Sequence, residues 1–298
     1  MKTHLILNGK KASLISVRDA ISKTRNNGLE LEIRVTYEGG DVERLVKEAI
    51  REGVKKLVIG GGDGSTNEMV NALMKYPKNK RPILAILPLG TANDFATSCG
   101  ISQDSYEALS LVNTGEIQAI DVAKANDRYF LNIATAGFGA EVTATTPVEL
   151  KNFLGGGAYT LTGVLRAIGF EPYQVAMKTE NESGFGDVLI GAVCNGRQAG
   201  GGQVLAPDAY LNDGYLDILI LKKIGATELL DAIAEVENPS RDTKYIRRFK
   251  TKWLEIESQN NIIPVNLDGE PYKSKNIRFE VLQQEIKIVL PDRCKLLK

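Results

Sequence analysis

The stretch Leu57–Val70, LVIGGGDGSTNEMV, decides how the chain is read. An apolar strand runs into three glycines, an aspartate, a fourth glycine, two hydroxyl residues and a helical pattern. Gly60, Gly61, Gly62 and Gly64 have no Cβ, so they can take positive φ and let backbone amides approach a ligand closely. Concave rows of such amides bind anions. Ser65 and Glu68 have the spacing of a capping box, with Ser65 at the N-cap and Glu68 at N3, which sets a helix start beside the glycines. The positive end of the helix dipole favours phosphate there. A plain strand-to-helix turn needs one glycine, and the additional ones cost backbone entropy that such a turn does not require. Asp63 would repel a phosphate directly, so its expected role is to act through Mg²⁺ or to fix the turn by accepting amide hydrogen bonds.

Outward from this turn, short apolar runs alternate with helical patterns. HLILN, LELEIRVTY, KKLVIGG and RPILAILPLG read as strands, and Val17–Asn27, Asp41–Arg51 and Ser65–Met74 as helices. Such alternation predicts βαβ units and a parallel sheet of Rossmann-like type, whose ligands bind at the carboxyl ends of the strands. The fourth strand ends in GTANDFA, which places Thr91, Asn93 and Asp94 on the same edge as the glycine turn. Asn93 and Asp94 also read as a helix cap before Phe95. Beyond residue 116 the texture becomes strand-like, with runs such as IQAIDVAKAN, RYFLNIATAGFG, DVLIGAVCN, YLDILILKK and IIPVNLDGE broken by turn residues. This predicts a β-rich sandwich, with Ala158–Ile168 and Thr227–Val236 as its chief helical candidates. The expected division is residues 1–125 for a nucleotide-binding α/β domain and 126–298 for a β-rich lipid-substrate domain, the last residues packing back on the first.

The 298 residues carry 37 basic and 37 acidic side chains, so no net charge draws the chain to nucleic acid. His4 is the single histidine, at the opening of the first strand, which rules out a Ser-His-Asp or Cys-His apparatus and a multi-histidine metal centre. Cys99, Cys194 and Cys294 have neither CxxC spacing nor an even count, and read as reduced thiols. No apolar stretch approaches bilayer length, and a cytoplasmic protein is expected.

GGGDGSTNE followed by PLGTANDFA, then NDGYLDI at Asn212–Ile218 and NLDGEP at Asn266–Pro271, resembles in order and spacing the diacylglycerol-kinase catalytic family, and most closely the bacterial YegS-type lipid kinases. The resemblance implies ATP bound by the N-terminal domain, Mg²⁺, a lipid hydroxyl as acceptor and chemistry between the two domains. It suggests nucleotide contacts at Thr36, at Gly62, Asp63, Gly64, Ser65, Thr66, Asn67 and Glu68, and at Thr91, with Asn93 and Asp94 beside them. It places the general base on Glu270, and a structural metal on Asp213 with the carbonyls of Tyr210 and Tyr215. The first strand ends in LNGKKA where many members carry an Asn-Pro and a downstream Ser-Gly, a departure that bears on nucleotide contacts at Asn8 and Lys10.

Physics supports the same residues in part. Phosphoryl transfer needs positioning and charge neutralisation, which amides, helix ends and a magnesium ion provide without histidine. Asp268 and Glu270 flank Gly269, so NLDGEP reads both as a hairpin turn and as a source of a carboxylate base, with Asp268 assisting Glu270. NGRQAGGGQ offers Arg197 to a phosphate or is a ligand-free loop. Arg241–Trp253 is basic and aromatic, either a solvated strand face or a surface for anionic membrane and so for transient membrane association. Two rivals stay open, a soluble NAD- or sugar-type kinase and a non-catalytic lipid or nucleotide sensor; neither the lipid nor the oligomeric state is legible.

Overall fold

A computed structural model describes residues 2–137, 171–223, 226–228, 231, 235, 243–259 and 261–298. Ala158–Ile168 lies outside them, as does Thr227–Val236 apart from 227, 228, 231 and 235. The first part of the chain runs β1 (Thr3–Asn8), α1 (Gly9–Ala12), α2 (Ile15–Asn26), β2 (Leu31–Thr36), α3 (Asp41–Arg51), β3 (Lys56–Gly61), α4 (Asp63–Met74), β4 (Ile83–Pro88), α5 (Asp94–Ser98) and α6 (Ser105–Thr114). Strands dominate the rest: β5 (Glu116–Ala125), β6 (Arg128–Phe130), β7 (Ile133–Gly137), β8 (Tyr173–Lys178), β9 (Ser183–Val188), β10 (Ile190–Cys194), β11 (Gln198–Ala199) and β12 (Gln203–Val204). They continue with β13 (Leu216–Leu221), β14 (Ile246–Thr251), β15 (Trp253–Ser258), β16 (Ile263–Leu267), β17 (Glu270–Ser274) and β18 (Asn276–Leu290).

Strands β2, β1, β3 and β4 are parallel, in that order. Helix α3 shows why its sequence folds as it does: Val42, Leu45, Val46 and Ala49 recur at helical spacing and are buried, while the Asp41 carboxylate accepts the amides of Tyr37 and Glu38 just before the first turn. Helices α2 and α6 pack together, as do α3 and α4, so the sheet is covered by helices. The register sets Asn8 opposite Thr36, Leu7 opposite Gly60, and Gly61 opposite Pro88, which gathers the ends of all four strands on one edge.

The same sheet continues through β18, whose Ile288 pairs in parallel with Leu84 of β4, and on to β15, β8 and β9. Strand β18 is 15 residues long and antiparallel to β5, with a bulge between Leu282 and Ile286. A second, antiparallel sheet, β14-β13-β10-β7-β16-β17, faces it. Apolar residues of both sheets, among them Val193, Ile218 and Val265 from one and Leu254 and Phe279 from the other, form one buried cluster. Phe130 and Phe279 meet edge to face inside it, with ring centroids 6.4 Å apart. This is the sandwich the sequence predicts. The run RYFLNIATAGFG divides into β6 and β7, and DVLIGAVCN divides at Leu189, because each changes sheet partners there.

Candidate active site

The glycine turn is built differently from its sequence reading. None of Gly60, Gly61, Gly62 or Gly64 takes a positive φ. A Cβ on Gly60 would stand 2.4 Å from Leu7 Cδ2, one on Gly61 2.3 Å from Ser65 Oγ, and one on Gly90 2.5 Å from the Cα of Gly62. Three of the four glycines in the turn therefore serve close packing, and the strand-end loops after β3 and β4 touch backbone to backbone. The Leu89 amide donates to the Gly61 carbonyl at 2.8 Å and ties them further. Gly64 differs: its nearest neighbour is Glu270, whose Oε1 would lie 3.3 Å from an added Cβ.

The capping box does not form. The amide of Thr66 bonds to the carbonyl of Gly62, so α4 starts at Asp63 and its N-cap is Gly62, with no side-chain cap bond. Ser65 thus sits at N3, where its side chain packs on Gly61. A helix begun by glycine leaves its leading amides to an outside acceptor.

Several residues expected at the nucleotide also hold the scaffold together. Asp63 accepts the amides of Asp94 and Phe95, at 3.1 and 3.2 Å, and so caps α5 across the loops; this is the turn-fixing role rather than the metal one. Asn93 is buried, accepts the Gly90 amide and donates to the Gly90 carbonyl and to Gln103. Asp94 is buried too, and its carboxylate accepts the amides of Gly201 and Gly202. Gly200, Gly201 and Gly202 all have positive φ, and this row of amides in NGRQAGGGQ closes on Asp94. Burial pushes the Asp94 carboxyl upward against those donors. Arg197 of that loop donates to the Ala209 carbonyl and stacks on Tyr210, so it is engaged within its own loop. Thr66 donates to the Gly62 carbonyl, and Asn67 to the Tyr129 carbonyl and to Asp268. Thr36 is half-buried at the end of β2, against Gly9, and Thr91 is exposed after β4. Asn8 caps α1 by accepting the Lys10 amide.

Asp268 and Gly269 join β16 to β17 in a two-residue turn with φ of 50° and 101°, the hairpin that Asp-Gly predicts. The two carboxylates flanking Gly269 then part company. Asp268 accepts the amides of Leu131, Asn132 and Ile133 at 2.7, 3.0 and 2.9 Å, and the Asn67 side chain at 3.3 Å. Burial raises its carboxyl to about 6, against those four donors. Asp268 thus has both oxygens occupied by N–H donors. It holds the β6–β7 connection and α4 against the hairpin that presents Glu270. Glu270 is exposed and lies near Glu68, whose carboxyl is raised by partial burial and by the negative charge of Glu270.

The acidic turn at NDGYLDI carries a cation of its own. Lys250 Nζ lies 3.1 Å from Asp213 Oδ2 and 3.0 Å from Asp217 Oδ2, and donates to the Asp208 carbonyl at 3.0 Å. Asp213 Oδ1 accepts the Tyr215 amide. The carboxylate expected to hold a metal with the carbonyls of Tyr210 and Tyr215 is thus neutralised by an ammonium, and these donors do not fit a metal ion as arranged. Sequence reading passed over Asp121, fully buried in β5, whose two oxygens accept the amides of Gly214 and Gln284 and so bind this turn to the β18 bulge. Its signal is a lone carboxylate within an apolar run. In the basic aromatic stretch, Arg241 lies outside the described residues; Lys244 and Arg247 pair with Glu228 and Glu182, and Tyr245 is buried. These contacts favour the strand-face reading.

Comparisons with known proteins agree with this architecture. The model of the diacylglycerol kinase catalytic domain matches residues 2–125, and that of the YegS C-terminal NAD kinase beta sandwich-like domain matches residues 132–290. A probable lipid kinase YegS-like of Shewanella frigidimarina is 49% identical over 97% of this chain and 94% of its own. Another from Yersinia enterocolitica is 44% identical over 99% of both. A crystal structure of a diacylglycerol kinase from Bacillus anthracis superposes with a TM-score of 0.77 at 25% identity, covering 98% of each chain. A second structure from that organism reaches 0.84 at 28% identity, covering 98% of this chain and 96% of its own. Matched by both domain models and 49% identical to a curated lipid kinase over nearly its whole length, the chain belongs to the YegS-like lipid kinase family and is a kinase, a phosphotransferase.

Proposed function

We propose that this kinase transfers the γ-phosphate of ATP to a hydroxyl of a glycerolipid of the diacylglycerol or phosphatidylglycerol class. The observation that carries the reading is the placement of Glu270 against Gly64, in the first turn of α4. The phosphates lie at the leading amides of α4, on the strand-end edge shared by Thr36, Gly62 and Thr91. The acceptor hydroxyl approaches from the hairpin side, between the two sheets' domains.

The reaction breaks the bond between the γ-phosphorus and its bridging oxygen, and ADP leaves with that electron pair. The lipid oxygen supplies the pair of the new P–O bond, and its proton passes to a Glu270 carboxylate oxygen. Helix amides stabilise the charge on the transferring group. Glu68, whose carboxyl is raised by burial and then by the negative charge of Glu270, is suited to hold Mg²⁺ with the phosphates, and the ion would neutralise the charge on the transferring phosphoryl. Membrane contact is transient: among the described residues no helix is long and apolar enough to cross a bilayer.

The test incubates γ-labelled ATP and Mg²⁺ with vesicles containing diacylglycerol or phosphatidylglycerol, and separately with NAD. Label in lipid alone is the expected result. Label in NAD alone identifies a soluble-acceptor kinase, and ATP binding without transfer to any acceptor identifies a sensor. Glu270→Gln is expected to lower kcat about 10²- to 10⁴-fold while ATP affinity stays within a factor of a few.

A further inference from the structure

The one histidine lies away from all of this, at the amino end of the parallel sheet. His4 on β1 pairs with Glu32 on β2, and Glu52 ends α3 above them. The imidazole side chain is 1% exposed. Its Nε2 lies 3.1 Å from Glu32 Oε2 and 3.6 Å from Glu52 Oε2, yet makes no hydrogen bond. Burial and the neighbouring Arg34 lower the tendency of the imidazole to take a proton, and hydrogen bonds from Arg34 and Lys2 lower the carboxyls of Glu32 and Glu52. The arrangement is therefore a buried nitrogen without a partner, aimed at two anions.

Those two oxygens already share a cation. Lys2 Nζ lies 2.7 Å from Glu52 Oε2 and 3.3 Å from Glu32 Oε2, the same atoms that face His4. Arg34 takes the other oxygen of Glu32 at 2.5 Å. The Lys2 ammonium faces the two carboxylates and leaves the imidazole nitrogen without a hydrogen bond, whereas a dication can accept from all three. The three ligand atoms lie within 4.8 Å of one another. A tetrahedral zinc site with bonds of about 2.0–2.1 Å has ligand atoms about 3.3–3.4 Å apart, and the two distances from His4 bracket that value. Lys2 is 42% exposed at its side chain and has solvent to retreat into.

We propose that His4, Glu32 and Glu52 form a binding site for a zinc-class divalent cation, which displaces Lys2 and clamps β1, β2 and the end of α3. One imidazole and two carboxylates at these spacings select an ion such as Zn²⁺ over Mg²⁺, which demands octahedral oxygen. The site is remote from Glu270 and takes no part in phosphoryl transfer. It stabilises the α/β layer by mass action.

The test titrates the full chain, stripped of metal by a chelator, with Co²⁺ and Zn²⁺ in excess Mg²⁺, by visible spectroscopy and calorimetry. One equivalent is expected, with the visible bands of four-coordinate Co²⁺ and a melting temperature that rises with Zn²⁺. His4→Gln and the surface substitution Glu52→Gln should each weaken binding at least about tenfold, and Lys2→Met should tighten it. Glu52→Gln, which leaves the core intact, decides the matter if His4→Gln misfolds, and it leaves lipid phosphorylation unchanged. No saturable binding in the presence of Mg²⁺, or binding that Glu52→Gln and Lys2→Met leave unaltered, would overturn the proposal.

Discussion

Asp268 and Glu270 are two residues apart, and nothing in their local sequence tells their roles apart; only the family resemblance singles out Glu270 as the base. The difference is made by strangers in the chain: Leu131, Asn132 and Ile133 turn their amides onto Asp268 from 135 to 137 positions away. Four donors and no acceptor mean that a proton on Asp268 would face an N–H group, so protonation disturbs this network even though burial favours the neutral form. Activity is therefore expected to fall as pH drops through about 6, where this carboxyl protonates. Stability should move the other way. The folded value lies above the unbound 3.8, so the contribution of this group to stability is greatest in acid and declines as pH rises through about 6. Parallel profiles of kcat/KM and melting temperature between pH 4.5 and about 7.5 check both signs. An activity profile flat across pH 6 would show that the carboxylate does not need its charge. His4 is a similar case: the sequence shows a histidine at a strand start, but not that its nitrogen ends up buried without a hydrogen bond.

Among the elements, the strand–glycine–helix unit was the most legible and also the most misread. Its strand, its helix and its place on the sheet edge follow from periodicity, because a short apolar run that ends in glycine and opens a helical pattern leaves little choice. The purpose of the glycines did not follow. Gly62 meets Gly90, a contact between two loops that no local pattern announces. This separates two substitutions that look alike. Gly90→Ala drives a Cβ into the Gly62 backbone at 2.5 Å and is expected to destabilise the fold by about 1–3 kcal/mol, read in a denaturant titration. Gly64→Ala meets only the end of a flexible glutamate side chain at 3.3 Å, so stability should be nearly unchanged while KM for ATP rises several-fold. Equal losses of stability in both would remove the distinction. Strand β9 is hidden for a different reason: SGFGDV carries two glycines and an aspartate and no apolar alternation, yet it lies at a sheet edge, where one side needs no partner.

The two-part organisation of the molecule is written in the change of texture after residue 116, but what couples the parts is not. Strands β5 and β18 run side by side from the parallel layer into the sandwich, and Arg81 reaches 204 residues along the chain to pin the β18 bulge at Glu285. A further polar link is Asp94, whose carboxylate accepts the amides of Gly201 and Gly202 and ties that loop to the strand-end edge of the parallel sheet. Asp94→Ala should release that loop, lowering kcat about tenfold or more through misplacement of the acceptor side, while ATP binding measured by calorimetry is retained. Loss of ATP affinity with kcat preserved would instead make Asp94 a nucleotide ligand. The account as a whole rests on the start of α4 receiving the phosphates opposite Glu270. Its most direct test is an amide NMR titration with Mg·ATP. The resonances of Gly64 and Ser65 are predicted to shift saturably, and to shift equally in Glu270→Gln; if they stay in place while the protein demonstrably binds nucleotide elsewhere, the central claim is wrong.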